Sequence, residues 1–350
     1  MSGDRLSDSA FLRACRGEEA PHTPVWFMRQ AGRSLPEYKA TKGTVNILEA
    51  IKQPELATEI TLQPVRRYGV DAAILYSDIV VPVHAIGFGV DIKAGIGPVV
   101  EEPFRTPGDL ERLRPLDAEA DVPYVAETVR LLVKELPVPL IGFAGAPFTV
   151  ASYLVEGRPS RDYVETRRMM WRDPELFARL LNRLAEIAIA SLRAQVEAGA
   201  SAIQLFDSWA GALDPDDYER YVLPSVKKVF DGVADLGVPR IASGVGAAGL
   251  LGQWAGAGAD VVSVDSSITL AEARRRAGEG TGVQGNLDPW AVGLAPWDVV
   301  ETKTREVLES NGGRPGHVFN LGHGVRPETD PDVLHRIVDL VHGWTPEDVS

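Results

Sequence analysis

Residues 173–208, DPELFARLLNRLAEIAIASLRAQVEAGASAIQLFDS, hold one complete helix-to-strand unit. Leu176, Phe177, Leu180, Leu181, Leu184, Ile187, Ala188 and Leu192 recur at helical spacing along one face, which predicts a helix over Pro174 to Ala198. Asp173 offers an acceptor at the N-cap, Pro174 suits a first helical position that needs no N–H, and Gly199 supplies the stop. Ala202 to Phe206 then forms a short apolar run, read as a buried strand, and the chain turns polar at once with Asp207 and Ser208. An apolar stripe of this kind is core, so the helix itself carries no function.

The same pattern extends in both directions. Asp214-Pro215, Asp288-Pro289 and Asp330-Pro331 repeat the capping signal. Short apolar runs predict strands near Val25 to Met28, Ala72 to Tyr76, Pro139 to Phe143, Ala202 to Phe206, Arg240 to Ala242, Val261 to Val264, Gly282 to Gln284 and His317 to Asn320. Alternating strands and amphipathic segments argue for parallel strands with crossover helices. The expected fold class is therefore α/β, a single (β/α)₈ TIM barrel spanning residues 1–350 with a flexible tip over about residues 1–8. A barrel needs roughly 250 residues, which leaves about a hundred for insertions. Val80 to Glu102 alternates weakly and carries Gly87, Gly89, Gly95 and Gly97, so an extra hairpin or long loop is expected after strand two.

Composition narrows the function classes. Hydrophobic residues make up 45% and charged residues 24%, and no apolar run reaches the roughly 20 residues of a membrane span. The first residues lack the basic start and apolar block of a secretory signal. One cysteine, Cys15, forms neither an internal disulfide nor a cysteine-rich metal site and suits a reducing compartment, so the cytoplasm is the expected location. A net charge of −13 argues against nucleic acid and anionic membranes as partners. Within it, Trp26 to Lys42 sets Arg29, Arg33, Lys39 and Lys42 against Glu37 alone, a local patch suited to a small polyanion. His22, His84, His317, His335 and His342 lack metal-ligand spacing, so no metal is expected.

Reactive groups in such barrels gather at the C-terminal strand ends, where loops converge on one mouth. Arg29 and Arg33 follow strand one, Asp78 follows strand two, Tyr153 lies beyond strand three, Ser208 follows strand four and His323 follows strand eight. Each also has a plainer reading: Asp78, Asp207 and Ser208 as turn caps, Tyr153 as a core aromatic, His323 as a loop residue between two glycines. The glycines of SGVGAAGLLG lack both the P-loop lysine and the dinucleotide spacing, and fit a tight turn.

MRQAGR with LPEY at residues 28–38, YSDI around Asp78, GAPFTVASYLVEG around Tyr153, QLFDSWAG around Ser208 and NLGHG around His323 together resemble the uroporphyrinogen decarboxylase family along nearly the whole chain. The resemblance implies decarboxylation of the four acetate arms of uroporphyrinogen III to methyl groups, giving coproporphyrinogen III, with no cofactor. It implies Asp78, Arg29 and Arg33 as catalytic residues. It also implies substrate contacts from Arg29, Gln30, Ala31, Gly32, Arg33, Asp78, Tyr153, Ser208 and His323, and a homodimer. Two departures stand out: Lys42 where some relatives carry arginine, and Ser34 in place of the usual aromatic. Two rivals share parts of the pattern. A corrinoid methyltransferase of the same superfamily requires a zinc thiolate, against which Cys15 is a single cysteine far from the later strands. A noncatalytic tetrapyrrole carrier would keep the arginines without needing Asp78.

Overall fold

The computed structural model of the protein describes residues 6–32, 34–93 and 95–345. The strands in chain order are β1 (Ala73–Ile74), β2 (Val90–Lys93), β3 (Gly97–Val100), β4 (Leu140–Gly145), β5 (Ala202–Phe206), β6 (Arg240–Ser243), β7 (Val261–Ser263), β8 (Gly282–Gln284) and β9 (His317–Val318). Seven of them form one curled parallel sheet in the order β1-β4-β5-β6-β7-β8-β9, with helices between consecutive strands. β2 and β3 pair antiparallel with Val90 opposite Val100, a separate two-stranded hairpin between β1 and β4. No helix among the described residues is long and apolar enough to cross a membrane.

Local capping sets the helix starts. Asp173, Asp214, Asp288 and Asp330 each accept backbone N–H groups of the following turn, and each is followed by proline. The helix Pro174–Ala198 buries Leu176, Phe177, Leu180, Leu181, Leu184, Ile187, Ala188 and Leu192 on one face. Truncating a side chain such as Leu180, which has no exposed surface, to alanine costs about 2–5 kcal/mol through lost contacts and the cavity left behind.

The first expected strand, Val25 to Met28, is reduced to one bridge, Val25 opposite Phe319. The reason lies in side-chain acceptors. Phe27 N–H donates to Gln30 Oε1 at 3.0 Å and Met28 N–H to Asn320 Oδ1 at 3.0 Å, which removes both from any strand ladder. Strand two shortens for the same reason, since Tyr76 N–H donates to Thr61 Oγ1 at 3.1 Å. The Pro24–Trp26 segment nonetheless bonds at both margins of the sheet. Phe319 N–H donates to Pro24 O at 2.8 Å and Asp71 N–H to Val25 O at 2.8 Å.

Polar groups inside the curl pair with one another, except Gln204 Nε2, which has no partner among the described residues. Trp26 Nε1 donates to Gln284 Oε1 at 2.9 Å, and Gln284 Nε2 donates to Gln204 Oε1 at 3.0 Å and Ser263 Oγ at 2.6 Å. Burying these groups unpaired would cost about 1–3 kcal/mol each, so the network specifies how the Trp26 segment seats against β5, β7 and β8. Of the expected flexible tip, residues 1–5 lie outside the described residues. The rest is held: Arg16 donates to Ser7 O at 3.0 Å and Ser9 caps the helix Ala10–Cys15.

Candidate active site

Arg29 sits in a loop whose backbone is fixed from several directions. Its φ of +62° is left-handed, which costs a non-glycine residue about 1 kcal/mol or more. Gln30 offsets that cost. Fully buried, it accepts from Phe27 N–H through Oε1 and donates to Ala72 O at 3.1 Å through Nε2. The loop is also laced to the far end of the chain: Val325 N–H donates to Met28 O at 2.9 Å, and Asn320 Oδ1 accepts from both Met28 N–H and Leu321 N–H. A Cβ added at Gly324 would lie 2.7 Å from Arg29 Cδ, so that glycine leaves the space the arginine arm occupies.

His323 lies between two such close approaches. On its other side, a Cβ at Gly322 would meet Ser266 N at 2.5 Å. His323 Nδ1 accepts from Gly324 N–H, so the neutral ring carries its proton on Nε2. Burial, then the positive charges of Arg29 and Arg326, push its pKa below the ordinary value and keep it in this neutral form. A pocket of about 400 Å³ opens here, lined by Arg29, His323, Arg326, Asp265, Ser266 and Trp290 among others. The Arg326 guanidinium stacks 3.6 Å from the Trp290 ring centroid, and its Nε lies 3.4 Å from Glu328 Oε2. Two guanidiniums and a neutral imidazole N–H line one opening together with Asp265 and Asp288, a donor-rich surface of mixed charge.

Asp78 follows β1, half-buried. Its Oδ1 accepts from Val80 N–H at 3.0 Å and its carbonyl from Val81 N–H at 3.1 Å, so Asp78 caps the turn that follows it. Burial raises its pKa, while the Val80 N–H and the charge of Arg29 act in the opposite direction. Tyr153, on the helix Pro147–Glu156, is raised by burial first and by the Asp78 charge second, with Arg29 opposing. Asp78, Tyr153 and Arg29 thus share one electrostatic environment. The Tyr153 ring packs on Trp209 at 4.0 Å between centroids.

Trp209 and Ser208 stand on a loop anchored by Asp207. Asp207 is buried, accepting from Thr149 Oγ1 at 2.8 Å and from Tyr218 OH at 3.0 Å, with Trp254 Nε1 donating to that same hydroxyl at 2.8 Å. Thr149 Oγ1 in turn accepts from Trp209 N–H at 3.2 Å. Burial pushes the Asp207 carboxyl up to about 6, opposed by its two hydroxyl partners. Ser208 is half-buried, and no hydrogen bond engages its hydroxyl among the described residues.

The structure therefore places Arg29 and His323 together at the pocket, with Asp78 and Tyr153 in electrostatic reach of Arg29 and Ser208 beside Trp209. The Gln30 side chain turns to the core and acts on the loop from behind. Ala31 is half-buried, Gly32 is buried at a φ of +99°, and Arg33 lies outside the described residues. Lys42 folds back onto Val45 O. Sequence reasoning missed Arg326 and Trp290: the motif reading stopped at Gly324, and Asp288-Pro289 was taken only as a helix cap. Cys15 is buried at the other end, and burial raises its thiol, so it offers no thiolate to this opening. Folding also joins His22, His342 and Asp71, which spacing left scattered.

The uroporphyrinogen decarboxylase (URO-D) family model matches residues 6–344. The chain belongs to this family. A uroporphyrinogen decarboxylase of Streptomyces griseus is 62% identical over 339 residues, covering 97% of this chain and 92% of that protein. The corresponding protein of Thermobifida fusca is 57% identical, covering 97% and 94%. That of Geobacillus kaustophilus is 50% identical, covering 97% and 99%. Among solved structures, a methyltransferase from Methanosarcina mazei superposes with a TM-score of 0.77 at 22% identity, covering 97% of each chain. A B12-independent methionine synthase from Shewanella gives 0.57 at 14% identity, covering 84% of this chain and 89% of that one. At these identities the two solved structures share the architecture, whereas the decarboxylase relatives share the sequence.

Proposed function

We propose that this chain removes carbon dioxide from the four acetate arms of uroporphyrinogen III, leaving methyl groups and coproporphyrinogen III. The observation that carries the reading is a half-buried carboxylate, Asp78, close enough to Arg29 for the guanidinium to oppose its protonation, in a chain of this family. Losing carbon dioxide from an acetate leaves an electron pair that needs a sink. The pyrrole provides one. Protonation of the ring carbon beside the acetate-bearing position makes a cationic ring, the electrons released with carbon dioxide neutralise it, a second proton completes the methyl group, and the ring carbon gives up the first proton to restore the pyrrole.

Asp78 accepts hydrogen bonds from pyrrole N–H groups and opposes the ring cation at short range. Burial raises the pKa of the free carboxyl, and each N–H that reaches it lowers it again, so the substrate itself favours the charged form the reaction needs. Closing the site strengthens the attraction from ~1 kcal/mol in water at 4 Å to several times that. Arg29 grips a substrate carboxylate, and His323 Nε2–H, Tyr153 OH and Ser208 OH offer further donors to peripheral carboxylates. Family resemblance gives Arg33 a gripping role and Gln30, Ala31 and Gly32 backbone contacts. It also implies a homodimer in the cytoplasm, built from one catalytic domain whose sheet closes through Pro24–Trp26 as an eighth stave. Sedimentation of the purified chain tests the dimer. Anaerobic incubation with uroporphyrinogen, followed by mass analysis, should show stepwise loss of one carbon dioxide per acetate arm; recovery of intact octacarboxylate would overturn the assignment.

A further inference from the structure

At the N-terminal end of the sheet, away from Arg29, side chains from three distant segments meet. His22 Nε2 lies 2.8 Å from Asp71 Oδ1, and His342 Nε2 lies 2.8 Å from Asp71 Oδ2. The two imidazoles are tilted by 56° with centroids 4.4 Å apart. The carboxylate is already oriented, because Oδ2 also accepts Val25 N–H at 2.7 Å. One ligand atom from each residue falls within 4.8 Å of the others. None of the three takes part in the chemistry at the mouth.

Hydrogen bonds from the histidines to the carboxylate account for the contacts when one ring is protonated, and the bond to Asp71 favours the charged form of His22. With both imidazoles neutral, the same three side chains present two nitrogen donors and a carboxylate to a dication. We propose that His22, Asp71 and His342 form a binding site for a divalent cation of the zinc class. Two imidazoles and a carboxylate suit a borderline ion of this kind. Tetrahedral bonds of about 2.0–2.1 Å place neighbouring donors about 3.3 Å apart. Each nitrogen lies 2.8 Å from a different Asp71 oxygen and the three donor atoms lie within 4.8 Å of one another, so binding needs side-chain rotations that gather both nitrogens around one oxygen. The histidine side chains are 30% exposed and the aspartate 15%, which leaves solvent access for a water as fourth ligand. Each Nε2 enters as a lone-pair donor with its proton on Nδ1 or released to solvent. The ion ties the His22 segment, the approach to β1 and the helix Pro331–Gly343 into one cross-link, where Val25 contributes only an isolated bridge to the sheet. The proposal does not depend on the decarboxylase reading.

The test uses the intact chain, stripped with a chelator and dialysed. Zn²⁺ is titrated against a chromophoric competitor, and Co²⁺ is followed by its visible ligand-field bands. One equivalent of Zn²⁺ per chain, intense Co²⁺ bands of tetrahedral coordination and a rise in thermal midpoint on Zn²⁺ addition are expected. His22→Gln and His342→Gln, each checked for native circular dichroism, should bind at least about tenfold more weakly and lose the Co²⁺ bands. If one variant fails to fold, the other and the wild-type cobalt spectrum decide. No stoichiometric ion in the wild type, or equal binding in the folded variants, overturns the site.

Discussion

Asp207→Asn isolates a charge buried under the Ser208 loop. The folded carboxyl is raised from its ordinary 3.8 to about 6, so between these values the folded chain holds a proton that the unfolded chain has released. Stability from this group is therefore greatest below 3.8 and falls as pH rises through about 6. The difference corresponds to about 3 kcal/mol. Asparagine imitates the protonated acid: each can accept from one hydroxyl and donate toward the other, while Thr149 and Tyr218 keep their outer partners Trp209 N–H and Trp254 Nε1–H. Urea unfolding of both chains should give similar stabilities near the acid end, with the variant gaining about 3 kcal/mol on wild type by neutral pH. Subtracting the two profiles cancels the other titrating groups that are not coupled to this one. A difference that stays flat across pH would refute the reasoning, because it would mean that Asp207 is no harder to ionise folded than unfolded.

Asp78→Asn keeps size and removes charge, so turnover should fall about 10²–10³-fold while substrate binding stays within about tenfold; wild-type turnover would remove Asp78 from the mechanism. Gly324→Ala pushes a methyl against the flexible Arg29 arm and should lower kcat/KM about 10–100-fold with little change in thermal midpoint. Gly322→Ala meets the Ser266 backbone instead and should lower the midpoint, and reversal of this pattern would discount the packing argument. Arg326→Leu removes a charged donor beside Arg29, so KM should rise about tenfold or more, read by steady-state kinetics with the octacarboxylate; unchanged KM would place Arg326 outside the binding surface.

Local chemistry explains why some of the architecture was readable beforehand. Asp173-Pro174 and its three repeats act on backbone groups within one turn, and Pro174–Ala198 carries its own periodicity, so neither needs the rest of the chain. Strand lengths near Val25 and Ala72 were overestimated because Asn320 and Thr61, distant in sequence, take the N–H groups that a ladder would have used. Arg29, Asp78, Tyr153, Ser208 and His323 could be singled out because each is polar just beyond an apolar run. Arg326 had no such marker: its place depends on Trp290, brought close only by folding. His22 and His342 were dismissed on spacing, a rule that sees ligands on one helix or loop and not those gathered by Asp71 from opposite ends of the chain.

The bonds from Met28 to Asn320 and Val325 bear on biosynthesis. Met28, beside Arg29, emerges from the ribosome 292 residues before the Asn320 that fixes its posture. A nascent or clipped chain that stops short of Asn320 would hold the arginine without its socket, so tetrapyrrole turnover should begin only when that loop has been made and docked.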